Sequence, residues 1–392
     1  MEQVRYGIIG LGNQGSTYNW SIFDKGKAKD AVVTAMCDLD PEKIEIMKEK
    51  TTNENAVYFT DYKEMLDSGL VDAVLVETPH YIHPEIVMEC LKRGIHVLCD
   101  KPAGVYTKQV REMNEAAEKA NCLFGMMFNQ RTNCVYRKMR EMILNGELGQ
   151  IQRINWIITS WFRNQSYYDS GQWRATWDGE GGGVLINQSP HQLDLIQWVS
   201  GMTPTAVHGF CKYGHWHDVE VEDEVTAYME YENGATGVFI TTTGEAPGTN
   251  RLEISGTRGK LVFELKKGLF FHKLAVDSME HLRTCEELHK SPKAEVIQVE
   301  IDGGNPQHAG IINNFTAAIL GREPLFVKGT DGIKMVELMN AIELSGWHGG
   351  ERVTLPVDED RYLAELNEHR AKSRVKEAVE AKVVNTSGSY EV

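Results

Sequence analysis

The segment Gly10-Leu11-Gly12-Asn13-Gln14-Gly15 places three glycines in a Gly-x-Gly-x-x-Gly turn directly after the apolar run Val4–Ile9. Such a turn suits a phosphate. Gly10 permits the tight reversal, Gly12 lets the backbone approach a pyrophosphate, and Gly15 lets the next helix pack close to the strand. Asn13 and Gln14 fill the variable positions, where the helix start offers free N–H groups and a positive dipole end. A second apolar run, Ala31–Cys37, ends in Asp38, about 20 residues past the loop, where a carboxylate can accept bonds from both ribose hydroxyls. Together these residues point to a dinucleotide. Asp38 further points to NAD, because its charge repels a 2′-phosphate and the following Leu39, Asp40 and Pro41 bring no arginine.

Two more segments follow strand-like runs, at the edge where open parallel sheets bind ligands. In Thr78-Pro79-His80-Tyr81-Ile82-His83, the residues Thr78, Pro79 and His83 are expected along the cofactor, although a turn with a helix-starting proline reads the same way. In Asp100-Lys101-Pro102 the proline keeps Lys101 extended, so that its side chain can project; the plain alternative is a surface lysine. A third segment carries Trp173-Arg174, then Gly181-Gly182-Gly183, then Asn187, His191 and Asp194 on an expected helix. Four-residue spacing puts Asn187 and His191 on one face. Asp194, one turn beyond, is then in reach to orient the imidazole for general acid–base work. The alternative is a structural histidine. His215 and His217 with Asp218, Glu220 and Glu222 show no third ligand at firm spacing, so no metal is assigned.

These side chains need a scaffold. From residue 1 to 127, strands alternate with helices, which implies a parallel sheet. Residues 128–357 read instead as long alternating strands (152–161, 206–213, 223–231, 236–243, 251–256 and 260–264) joined by hairpin turns such as Glu232-Asn233-Gly234. One helical stretch, 188–199, interrupts them, and helices at 135–145, 309–320 and 332–345 are expected to cover one face. The other face of such an open, mostly antiparallel sheet needs a partner, so a homo-oligomer, dimer or tetramer, is expected. Residues 358–392 read as a charged helix and a flexible tail from Asn385.

The chain has 392 residues, enough for two cores, and 25% charged residues. A net charge of −15 argues against nucleic acid or an anionic membrane as partner. No apolar run spans a membrane, no leader precedes the first strand, and seven cysteines without C-x-x-C spacing read as reduced thiols. We therefore expect a cytoplasmic protein.

The motifs together resemble the glucose–fructose oxidoreductase / inositol dehydrogenase / rhizopine catabolism family, from Gly7 to about Pro356. The family's Glu-Lys-Pro is similar to Asp100-Lys101-Pro102, and its Gly-Gly-Gly…Asp-x-x-x-His to Gly181-Gly182-Gly183…Asn187-x-x-x-His191. Glu222-Asp223, Gly256-Thr257-Arg258-Gly259 and His308 are further landmarks. The resemblance implies an N-terminal Rossmann domain, a C-terminal α+β domain, bound NAD, and a sugar or cyclitol substrate. It implies Lys101 and His191 as catalytic residues, and substrate contacts from these two with Tyr168, Trp173, Arg174, Asn187 and His308. Many relatives have aspartate where this chain has Asn187; an amide takes no proton at neutral pH, which moves the base role to His191 or Lys101. Arg174 could also grip a carboxylate or phosphate. The alternatives are a glycosidase that retains NAD and oxidises transiently, and a non-catalytic NAD-binding sensor.

Overall fold

The structure is a computed structural model that describes residues 2–376; the tail expected from Asn385 lies outside them. The first half forms a six-stranded parallel sheet of β1 (Val4–Ile9), β2 (Ala31–Cys37), β3 (Val57–Phe59), β4 (Ala73–Val76), β5 (His96–Cys99) and β6 (Phe124–Met126). Their order is β3-β2-β1-β4-β5-β6. Every residue of β4 is buried, as its unbroken apolar run requires for a strand covered on both faces. The strand order reverses between β1 and β4, which opens a crevice at their carboxyl ends. The residues that follow β1, β4 and β5 therefore share one edge: the glycine loop, Thr78 and Lys101.

The second sheet has nine strands: β7 (Ile151–Ile158), β8 (Ala206–Tyr213), β9 (Glu222–Glu230), β10 (Thr236–Thr242), β11 (Asn250–Gly256), β12 (Gly259–Glu264), β13 (Gly268–Leu274), β14 (Ala294–Gln298) and β15 (Val353–Thr354). All its pairings are antiparallel except β7 with β10. Alternation is clear on β7, where Ile154, Trp156 and Ile158 are fully buried and Ile157 is exposed. Trp156 packs on Tyr136 of the helix Cys134–Leu144, with ring centroids 5.7 Å apart. Cross-strand partners on the opposite face include Phe210, Thr226, Ile240 and Ile157, of which Phe210 is 55% exposed.

Two expectations differ from the fold. The stretch between residues 265 and 305 had suggested no elements, yet it holds β13, β14 and the helix Ser278–Thr284. Every residue of β14 is exposed, so backbone pairing at a sheet edge sets it rather than any apolar alternation. The helix expected over 188–199 runs over Pro190–Ser200, and Asn187, expected on the same helix as His191, ends a separate short one, Val184–Asn187. Pro190 has no N–H to continue the short one and disfavours helical geometry at Ser189. Among the described residues, no helix is long and apolar enough to cross a membrane, and all seven cysteines are free thiols.

Candidate active site

The three loop glycines sit in unlike surroundings. A Cβ on Gly15 would lie 2.0 Å from the Gly10 carbonyl oxygen, and one on Gly10 would lie 2.5 Å from that of Glu77. Both positions must be glycine for the protein's own packing. A Cβ on Gly12 meets no protein atom within 4 Å, so the space before it is open to a ligand. Asp38 accepts from the Leu11 N–H at 2.7 Å and from the Asp40 N–H at 2.9 Å. Its carboxylate therefore holds the glycine loop, and Lys43 lies 3.5 Å from it. The helix begins at Asn13, which puts Asn13 and Gln14 in its first turn. Thr78 Oγ1 is buried at the same edge with no hydrogen-bond partner. An open backbone cradle, a helix start, a carboxylate and an unpartnered hydroxyl fit the phosphates and ribose of a dinucleotide.

His83, expected on the cofactor, is 1% exposed. Its Nδ1 lies 2.8 Å from the Pro102 carbonyl oxygen and its Nε2 2.7 Å from that of Thr78. The ring thus ties the loop after β4 to the loop after β5, with Pro79 exposed between them. The Lys101-Pro102 peptide is cis, and Lys101 Nζ donates to the Asn187 carbonyl oxygen at 3.0 Å. Burial lowers the Lys101 ammonium, opposed by the charges of Asp100 and Glu180.

His191 arrives from the start of the helix Pro190–Ser200, with its ring edge-on to Phe128 at 6.4 Å. Its Nδ1 is buried without a partner. Burial, then the positive charge of Lys101, holds it well below the ordinary histidine value, so the imidazole is neutral at physiological pH. Asp194 does not orient it. That carboxylate instead takes Arg131 in a bidentate pair at 2.8 and 2.6 Å, and Arg131 also reaches Asp331 at 2.7 Å. His191 and Asp194 share the helix Pro190–Ser200, so it is Arg131 that takes the carboxylate away, while the break at Ser189 separates Asn187 from that helix. His308 comes from the distant helix Gln307–Ile319, and its ring lies 5.1 Å from that of Tyr18. Burial pulls its pKa down to about 4, with Asp100 and Lys101 acting in opposite directions.

Arg174 forms the wall opposite. Its guanidinium lies 4.7 Å from the Trp173 ring and 4.6 Å from the Tyr167 ring, and donates to the Tyr167 hydroxyl at 2.9 Å. Trp173 also meets the His80 ring edge-on at 5.7 Å. Tyr167 in turn donates to Asn187 Oδ1 at 3.1 Å. Tyr168, expected to touch substrate, points elsewhere: it is 4% exposed and its hydroxyl bonds to Thr243 at 2.8 Å. Adjacent tyrosines diverge on the helical turn Gln165–Tyr168, and Tyr167 is the one that enters the polar network.

Two carboxyls escaped the sequence reading. Glu180, 2% exposed, accepts from the Asn187 amide and from the Ala175 N–H at 2.6 Å. An acidic residue directly before the three glycines was its only signal. Glu77, at the end of β4, has both carboxyl oxygens buried without partners, and burial followed by Asp100 holds it well above the usual carboxylate range. His217 has Nδ1 3.1 Å from Asp223 and Nε2 2.9 Å from the Arg163 carbonyl oxygen, so both nitrogens serve the fold.

Family models match both halves of the chain: residues 4–128 match an oxidoreductase family with an NAD-binding Rossmann fold, and 136–262 the GFO/IDH/MocA C-terminal domain. The myo-inositol 2-dehydrogenase of Thermotoga maritima is 28% identical over 66% of this chain and 74% of its own length. The D-glucoside 3-dehydrogenase of Escherichia coli is 27% identical over 59% and 68%. The WlbA dehydrogenase of Bordetella pertussis, solved with NADH and UDP-GlcNAcA, shares the fold with a TM-score of 0.77, at 23% identity over 91% of this chain and 99% of that one. With a Rossmann sheet, a glycine loop built for a dinucleotide and both halves matched, the chain belongs to the GFO/IDH/MocA oxidoreductase family and binds NAD in its N-terminal half.

Proposed function

We propose that this protein reversibly oxidises a secondary alcohol of a sugar, sugar derivative or cyclitol. The observation that carries the reading is that Lys101, at the carboxyl edge of the first sheet, donates to the Asn187 carbonyl oxygen, on the segment that leads into the helix carrying His191. NAD, when bound, supplies the hydride acceptor. Neutral imidazole at His191 removes the hydroxyl proton. Lys101 donates to the reacting oxygen as negative charge develops there. Asn187, with its amide tied to Glu180 and Tyr167, orients hydroxyls without exchanging protons. Trp173 and Tyr167 offer aromatic faces suited to sugar rings, and His308 closes the cofactor side. The relatives that act on inositol and glucosides support this substrate class.

Within this reading, residues 1–127 hold the cofactor, residues 128–357 bind substrate and residues 358–392 are an appended charged segment. Asp38 selects NAD over NADP, and the protein works in the cytoplasm. The row Phe210, Thr226, Ile240 and Ile157 on the second sheet's outer face supports a dimer or tetramer formed through that face. A monomer by light scattering at micromolar concentration would overturn that last point. The substrate test is a screen of hexoses, inositols, sugar acids and glycosides with added NAD. NADH accumulation is expected. Release of an aglycone without net NADH would instead make the protein a cofactor-recycling glycosidase, and inertness towards all of them would leave a non-catalytic NAD sensor.

A further inference from the structure

The substrate-side wall has little regular structure of its own. Between β7 and the helix Val184–Asn187, the chain forms only the turn Gln165–Tyr168, and Ala175 adopts a positive φ of 51° that a side-chain-bearing residue rarely takes. Something outside this loop must hold it. The structure assigns that task to the end of the described chain: we propose that Arg370–Lys376 is a strap that positions the loop 163–180, with Lys376 as its positioning residue.

The strap is fastened at both ends. Its helix, Glu359–Ala371, lies beyond both segments matched by the family models. At its start, Asp360 and Glu359 pair with Lys108 and Arg111 on the helix Thr107–Lys119 of the first half, at 2.7 and 2.9 Å. At its end, Arg370 pairs with Asp178 at 2.9 Å and stacks over Tyr81 at 4.7 Å. Tyr81 belongs to the segment after β4 and donates to the Trp177 carbonyl oxygen at 2.6 Å. Ser373 and the Arg374 N–H both bond to Glu220, which also accepts from the Trp177 N–H at 2.7 Å.

Lys376 makes the most direct contact. Its Nζ donates to the carbonyl oxygens of Tyr168 at 3.0 Å and of Arg174 at 2.7 Å. One ammonium thus bridges the end of the 165–168 turn and the residue whose guanidinium faces the site. Two carbonyls that nothing else in regular structure would satisfy are pinned at a fixed separation. The geometry of Arg174 and Trp173, and through Ala175 that of Glu180, then depends on a contact about 200 residues away. The consequence for substrate rests on the proposed function; the positioning itself does not.

The test compares the full chain with chains stopped after Lys376 and after Ala371, and with Lys376→Met and Lys376→Arg. Trypsin under native conditions reads the loop through cleavage after Arg163 and Arg174, and NADH titration reads the cofactor half. The chain stopped after Ala371 should be cut at Arg174 at least ~10-fold faster, because a local opening that much more populated shows directly in cleavage. NADH affinity should stay within about twofold. Lys376→Met should follow it in part, Lys376→Arg should restore protection, and the stop after Lys376 should match the full chain. With any alcohol that the full chain turns over, the same variants should raise KM and leave kcat nearly unchanged. Unaltered cleavage at Arg174, in the shorter chain or in Lys376→Met should that chain not fold, overturns the proposal. So does faster cleavage that extends equally to Arg283, on the helix Ser278–Thr284. Lack of turnover by the full chain would count against the proposed function, while the cleavage arm would still decide the strap.

Discussion

The cofactor edge and the wall proposed to bind substrate meet where Lys101 reaches Asn187 but are built differently. At the cofactor edge, the glycine loop, Thr78 and Lys101 come from the ends of β1, β4 and β5, neighbours in one sheet. Backbone N–H groups and close packing do most of the work there, so few substitutions are tolerated and the arrangement is legible in short motifs. The wall draws Tyr167, Arg174, Glu180, Asn187 and His191 from a loop, a four-residue helix and a longer helix, with His308 and Lys376 from far along the chain. Its geometry lives in side-chain contacts. Under the proposed function, local backbone geometry serves the cofactor and long-range side-chain contacts serve the substrate.

The sharpest way to break the comparison is within the glycine loop. Gly15→Ala should abolish NADH binding and lower Tm, since its Cβ would lie 2.0 Å from a backbone oxygen. Gly12→Ala should leave Tm within about 2 °C yet weaken NADH binding at least ~10-fold, because only a ligand occupies that space. Equal loss of Tm in both would mean that Gly12 serves the fold rather than a phosphate.

Next in size are the groups that meet across the crevice. Lys101→Ala and His191→Ala should each reduce turnover at least ~100-fold, or about 3 kcal/mol, with NADH titration nearly unchanged. Near-normal turnover in His191→Ala beside an inactive Lys101→Ala would reverse their roles; activity in both would move the chemistry to other residues. Asn187→Ala should act mainly on substrate affinity.

A smaller effect is expected at Asp38. Asp38→Ala should weaken NAD binding by roughly 10-fold and relax the preference against NADP, as an ordinary charged hydrogen-bond partner would. Tighter binding of NADP than NAD by the unaltered protein would remove Asp38 from this role.

The smallest concerns pH. His308, down at about 4 against an ordinary 6.5, and His191, also lowered, are half-buried in their neutral forms. The unfolded chain takes up their protons first as pH falls, so the stability present above pH 6.5 is lost on the way down to about 4. Tm measured across that range should fall with acid, and His308→Gln should flatten the slope. An unchanged slope would show that His308 is not held as a neutral ring.

The sequence by itself determined the first sheet, the glycine loop, Asp38, Lys101 and the approximate strands β7 to β12, because apolar periodicity and glycine or proline at fixed offsets act over a few residues. It also brought His191 into view. Tertiary structure decided the rest. Pro190 separated Asn187 from the helix that carries His191 and Asp194, and Arg131 took Asp194 for a buried ion pair. Two adjacent tyrosines were sorted by what each could reach, with Thr243 holding Tyr168 and Arg174 meeting Tyr167. β14 had no apolar pattern to read, being exposed throughout. Glu180 and Lys376 had no motif at all. Their contacts depend on which distant backbone groups and side chains the fold leaves within about 3 Å, a distance that local spacing does not encode.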